Sequence, residues 1–80
     1  MSDTDAILAA AGAALYGQSW RGPLARLLGI NERTIYRYAT GLNKPSRWVW
    51  GVIAAECDRK AAENSAMAAR LRAIAANSKD

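Results

Sequence analysis

The chain has 80 residues, a net charge of +4, one cysteine and no histidine. This length fits one small domain. The single Cys57 excludes an internal disulfide, and the lack of histidine excludes a Cys/His zinc site and the most frequent catalytic acid–base group. We therefore expect no enzyme, metal, cofactor or small-molecule ligand. The apolar run 6–15 is interrupted by Gly12 and has no basic leader, so we predict a cytoplasmic protein without a signal peptide or membrane span.

The first predicted element is a helix over about Asp5–Tyr16, with Thr4 as its N-cap. Apolar residues at helical spacing predict a buried face on this helix. The residues of that face are Ile7, Leu8, Ala11 and Leu15. The Gly-Gln-Ser segment 17–19 ends the helix. Trp20 is expected in the core, where it fixes the start of the second helix.

A tight turn separates the second and third predicted helices. The second begins between residues 19 and 23, since proline is tolerated in a first turn, and ends at Leu28. Gly29 can adopt the left-handed conformation that ends a helix, and Asn31 is a good N-cap for the next one. The third helix is therefore predicted over about Glu32–Thr40.

The third predicted helix separates a packed side from a polar side. Ile35 is placed to pack against the second helix, where the small Ala25 allows close approach. Arg33, Tyr36 and Arg37 then remain on the outer face. An exposed helix face that carries arginine and tyrosine fits the major groove of DNA.

This spacing resembles the helix-turn-helix of the lambda-repressor-like (Cro/repressor-type) DNA-binding family, over roughly residues 5–55. The residues that match its pattern are Ala25, Gly29, Ile30, Thr34, Ile35 and Tyr38. The wider sequence from Leu15 to Arg26 is similar to small phage and mobile-element regulators, anti-CRISPR-associated repressors among them. The chain departs from the pattern at Gly22-Pro23, where the first helix of the motif should begin. The resemblance implies double-stranded DNA as the partner.

The distribution of charge agrees with that expectation, because residues 19–50 carry six basic residues and one acidic residue. Arginine is the preferred bidentate partner of guanine. Candidate base contacts are Asn31, Glu32, Arg33, Tyr36 and Arg37, although Asn31 can instead serve only as a cap. Candidate phosphate contacts are Arg21, Thr40, Lys44, Ser46 and Arg47. Plain surface charge is the alternative for Lys44 and Arg47.

After a loop at 41–45, Ser46 is expected to cap a fourth helix that extends to about Asn77. One of its neighbouring tryptophans, Trp48 and Trp50, is expected in the core against the first helix. The other is expected at an edge or an interface, because the two side chains point in different directions from the helix axis.

Pairs of alanine recur every seven residues in this helix, from 54–55 to 75–76. Heptad periodicity with small residues permits close helix packing, so we predict a homodimer. The predicted dimerisation residues are Ala61, Asn64, Ala68, Leu71 and Ala75, with Met67 and Ile74 flanking them. A break near Asn64-Ser65 that returns a fifth helix to the body is one alternative. An alanine-rich helix without a partner is another. Glu56 and Lys60 are spaced for a surface ion pair.

These features predict an all-α fold: a four-helix DNA-binding domain over 1–55 and a helical dimerisation extension over 56–80. The expected function is a sequence-specific transcriptional regulator, a small autoregulating repressor that binds a palindromic operator as a homodimer. One alternative is a mobile-element adaptor or inhibitor that binds another protein through the same fold. A membrane-surface helix is a weaker alternative, because the apolar side of the last helix has few large anchors.

Overall fold

The computed structural model describes the backbone of residues 3–78 and the side chains of residues 5–78. It contains four helices: α1 (Asp3–Tyr16), α2 (Arg21–Leu28), α3 (Glu32–Ala39) and α4 (Arg47–Asn77). No strand occurs within 3–78, so the all-α prediction is confirmed. Because α1 begins at Asp3, the predicted cap Thr4 lies inside the helix, and its side chain is outside the described residues.

The α2–α3 turn is built by two residues whose local chemistry dictates its shape. Gly29 has a φ of 68°, a left-handed conformation that glycine adopts without steric cost. The amide of Ile30 donates to the Ala25 carbonyl at 3.0 Å and closes the end of α2. The Asn31 side chain then accepts a hydrogen bond from the Arg33 amide at 2.7 Å and caps α3. Both features lie where the sequence predicts them.

The core lies where the four helices meet. Each helix contributes one fully buried large side chain, and these are Leu8, Leu24, Ile35 and Val49. Trp20 and Ala25 are buried beside them, as predicted. Ile7 is wrongly predicted as a core residue, since it is 55% exposed. The neighbouring Leu8 points into the core instead, and Ile7 points outward because adjacent side chains on a helix point about 100° apart.

The contact between α1 and Trp20 depends on a glycine. A Cβ atom added at Gly12 would lie 2.3 Å from the Cε3 atom of Trp20, well inside van der Waals contact. The indole ring therefore packs on bare helix backbone, which brings the start of α2 close to α1. Gly12 interrupts the apolar run of α1 in the sequence, and in the fold it makes room for the largest core side chain.

The first turns of α4 pack differently from the prediction. Neither Trp48 nor Trp50 is buried; Val49 between them is fully buried instead. Trp50 is half-buried against the edge of the core, while Trp48 is 50% exposed. The prediction placed one tryptophan in the core because the two point in different directions, but the angular position of the helix on the body buries the residue between them.

Helix α4 extends far beyond the body formed by the other three helices. Its 31 residues span about 46 Å, and the whole molecule measures 55 × 22 × 21 Å. The helix continues through Asn64 and Ser65 without a break. From residue 61 to residue 78 every side chain is exposed except the half-buried Ala68.

Candidate nucleic-acid interface

The outer face of α3 carries the candidate base contacts. Arg33, Tyr36 and Arg37 are all exposed, whereas Ile35 on the opposite side is fully buried. At 100° per residue the three outward side chains span an arc of about 100°. The structure therefore brings these three predicted residues together on one accessible surface, which we call the α3 face.

The two predicted residues at the start of α3 have different environments. The Asn31 side-chain oxygen accepts the capping hydrogen bond, and its NH2 group remains as a donor for another partner. Glu32 is exposed in the first turn, where a carboxylate interacts favourably with the helix dipole. It does not take part in the cap.

A shallow cleft of about 270 Å³ joins the start of α2 to the start of α3. Arg21 and Glu32, both predicted site residues, line it together with Gln18, Ser19 and Gly22. Gln18 and Ser19 were not among the predicted site residues. Their signal was present, because these two polar residues come just before Trp20, the N-cap of a short helix that carries an arginine at its first position.

Arg21 is positioned by an aromatic ring. Its guanidinium carbon lies 5.4 Å from the centroid of the Trp20 ring, within range of a cation–π interaction. The ring is itself held against Gly12. The side chain stays exposed, so Arg21 presents a cation at the edge of the cleft.

The end of α3 and the start of α4 hold the remaining predicted phosphate contacts. The Thr40 hydroxyl donates to the Tyr36 carbonyl at 3.0 Å, so it must rotate before it can donate to a phosphate. Ser46 occupies the N-cap position of α4, but its side chain makes no capping hydrogen bond, contrary to prediction. Lys44 and Arg47 are exposed on either side of Ser46.

A polar network links α1 to α4 at the point where α4 leaves the body. The Tyr16 hydroxyl donates to the Glu56 carboxylate, and burial together with the charge of Glu56 raises the pKa of Tyr16. Arg59 donates to Glu56 through Nε at 2.7 Å and also pairs with Glu63. The hydrogen bond from Arg59 lowers the pKa of Glu56. The predicted pair of Glu56 with Lys60 is therefore replaced by a pair with Arg59.

The predicted dimerisation residues all lie on the protruding part of α4. Ala61, Asn64, Leu71 and Ala75 are exposed, and Ala68 is half-buried. Three large apolar side chains on this segment are also exposed: Met67 by 49%, Leu71 by 56% and Ile74 by 67%.

No family model, curated protein or solved structure matches this chain. Within the described part of the chain, no helix combines the length and the apolar character that a membrane span requires. The same residues contain no cluster of three or more histidine, cysteine or carboxylate side chains that could hold a metal ion.

Proposed function

We propose that this protein is a sequence-specific DNA-binding transcriptional regulator of the helix-turn-helix type, and that it binds double-stranded DNA through the α3 face. The observation that carries this proposal is the exposure of Arg33, Tyr36 and Arg37 on one side of a helix whose opposite side, at Ile35, is fully buried. A helix held in this way can enter the major groove while the core keeps its orientation.

The side chains of the α3 face have chemistry suited to base edges. Arg33 and Arg37 can each donate two hydrogen bonds to O6 and N7 of guanine. Tyr36 offers an aromatic ring to a thymine methyl group and a hydroxyl to a phosphate. Glu32 can accept a hydrogen bond from the amino group of cytosine. We propose these residues, with the free amide of Asn31, as the base contacts.

The residues around the α3 face are suited to the DNA backbone. Arg21, Lys44 and Arg47 are exposed cations in the segment 19–50, which carries six basic residues and one acidic residue. The uncapped start of α4 adds free backbone amides near Ser46, and such amides bind anions. We propose these four residues and Thr40 as phosphate contacts, which fix the register of α3 in the groove.

Repression would follow directly from binding, since a protein seated on promoter DNA excludes other proteins from it. We propose an autoregulating repressor that binds a palindromic operator as a homodimer. The DNA upstream of its own gene is therefore the first probe to test. Two recognition helices related by a two-fold axis would meet two half-sites of inverted sequence.

The test compares two arginine variants by fluorescence anisotropy on labelled upstream DNA and on random DNA of equal length. Arg37→Ala should cost about 1–3 kcal/mol on the operator and far less on random DNA, because a base contact is lost. The matched control Arg72→Ala removes the same charge from the exposed far part of α4 and should bind like wild type.

If Arg37→Ala loses the same affinity for both DNAs, Arg37 is only a phosphate contact. If the wild-type protein binds neither DNA at low salt, the proposal fails. The alternative of a protein-binding adaptor with this fold would then be the better explanation.

A further inference from the structure

One mainly apolar stripe runs along α4, interrupted by Lys60 and Asn64, and only its first half is covered by the body. Val49 and Ile53 face the body and are buried. Met67, Leu71 and Ile74 lie on the same side of the helix further along, within about 60° of one another, yet they are exposed. The helix therefore carries its core-facing side past the end of its own core.

The stripe follows a heptad pattern in which the flanking positions differ sharply. Positions a and d are occupied by Ile53, Cys57, Lys60, Asn64, Met67, Leu71 and Ile74. On one flank every e position is an alanine. On the other flank the g positions include Glu63 and Arg70, which carry opposite charges and are both exposed.

The position of the body restricts how a second helix can lie on this stripe. The body covers the same side of α4 at Val49 and Ile53 that the stripe presents further along. A parallel partner in register, about 8–10 Å away, would have to pass through this body, because the body buries Val49 and Ile53 on that side of α4. An antiparallel partner avoids the collision, because the two bodies then lie at opposite ends of the paired segment.

The charges favour the same orientation. In a parallel pair a g residue faces an e residue of the other helix, which is always alanine here. In an antiparallel pair g faces g, so Glu63 of each copy meets Arg70 of the other. The Glu63 side chain also pairs with Arg59 of its own helix, and a carboxylate can accept from both partners.

We propose that the protruding half of α4 pairs with the same segment of a second copy in antiparallel orientation, about a two-fold axis between residues 65 and 66. This inference rests on the homodimer of the proposed function and specifies its orientation and contacts. Asn64 then lies beside Met67 of the other copy, close to the axis, and supplies a polar layer that fixes the register. Ile74 lies beside Cys57 of the other copy, which is half-buried against the edge of that copy's core, so the paired segment ends where the body begins.

The proposed interface lies on a slightly different side of α4 from the dimerisation residues predicted from the sequence, because it is centred on the large side chains. Asn64 and Leu71 belong to both. Ala61, Ala68 and Ala75 move to its edge, where small side chains let the two helices approach closely.

A cysteine introduced at position 74 tests the orientation, because the native Cys57 supplies the second thiol. Under mild oxidation, the antiparallel pair of Ile74→Cys chains should form a disulfide between Cys57 of one copy and the new thiol of the other, identified by mass spectrometry of the linked peptides. The two thiols of one chain lie about 26 Å apart along the helix and cannot join each other. The control Ala73→Cys moves the thiol to the outer side and should stay uncrosslinked.

A charge reversal tests the register. Arg70→Glu places like charges beside both copies of Glu63 and should weaken dimerisation about ten-fold in analytical ultracentrifugation. Arg72→Glu makes the same change in charge outside the interface and should leave the dimer intact. Equal effects of the two variants would count against the proposed register.

A disulfide between the two introduced thiols would show a parallel pair and overturn the inference. The inference would also be overturned if the wild-type protein is monomeric at high micromolar concentration, whether or not it binds anionic vesicles through the stripe. Operator binding measured on the same samples separates the two proposals. A parallel dimer that binds the operator leaves the proposed function standing.

Discussion

Replacing Gly12 with alanine tests the contact that joins α1 to the start of α2. The added methyl group would lie 2.3 Å from Cε3 and 2.5 Å from Cδ2 of Trp20, and the ring is only 7% exposed. The ring cannot swing away without moving other core residues, and overpacking of this kind costs about 1–3 kcal/mol. Alanine also favours the helix over glycine by about 1 kcal/mol, which acts in the opposite direction.

A second glycine separates these two effects. Gly51 lies exposed in α4, and a Cβ atom added there meets no atom within 4 Å. Gly51→Ala should therefore raise the free energy of unfolding by about 1 kcal/mol through helix propensity alone. The free energy of unfolding of the Gly12→Ala variant should then be about 1–3 kcal/mol lower than that of the Gly51→Ala variant.

Urea denaturation followed by circular dichroism measures both variants. The protein concentration must be the same throughout, because dimerisation contributes to the measured stability. If Gly12→Ala proves as stable as Gly51→Ala, the close packing of Trp20 on α1 is refuted.

Two further predictions concern the phosphate contacts and the polar network. Arg47→Ala should weaken binding equally on all DNA sequences and reduce the slope of log affinity against log salt by about one unit; an unchanged slope would remove Arg47 from the interface. Burial and Glu56 raise the pKa of Tyr16 in the folded protein above its ordinary value of 10.0. The stability that Tyr16 contributes is therefore present below about pH 10, and it is lost as the pH rises through the raised pKa of the folded protein. In thermal melts, Tyr16→Phe should therefore lose less stability than wild type under alkaline conditions. Identical alkaline losses in the Tyr16 variant and wild type would contradict this assignment.

The parts of the fold that were predicted correctly depend on single residues and their neighbours. Gly29 ends α2 because its own backbone can be left-handed, and Asn31 caps α3 through the amide two residues later. The exposure of the α3 face follows in the same way, since burying Ile35 turns Arg33 and Arg37 outward. Such features need no knowledge of how distant elements pack.

The errors arise where the outcome depends on packing between helices. The sequence indicates that the start of α4 meets the core, but not by which angle, so Val49 took the place expected for Trp48 or Trp50. The role of Gly12 could not be inferred either, because it depends on Trp20 in another element. Glu56 has basic residues both three and four positions away, Arg59 and Lys60. Both spacings suit an ion pair on a helix, so the sequence alone does not show which residue pairs with Glu56.

The length and continuity of α4 connect the two proposals. Val49 and Ile53 fix its first turns to the body, and the pairing of Arg59 with Glu56 and Glu63 continues across the point where it leaves the body. The position of the α3 face relative to the paired segment is therefore set by one unbroken helix. In the antiparallel dimer the two α4 helices begin about 55 Å apart. This exceeds the roughly 34 Å of one DNA turn, so the dimer fits half-sites about two turns apart better than half-sites one turn apart.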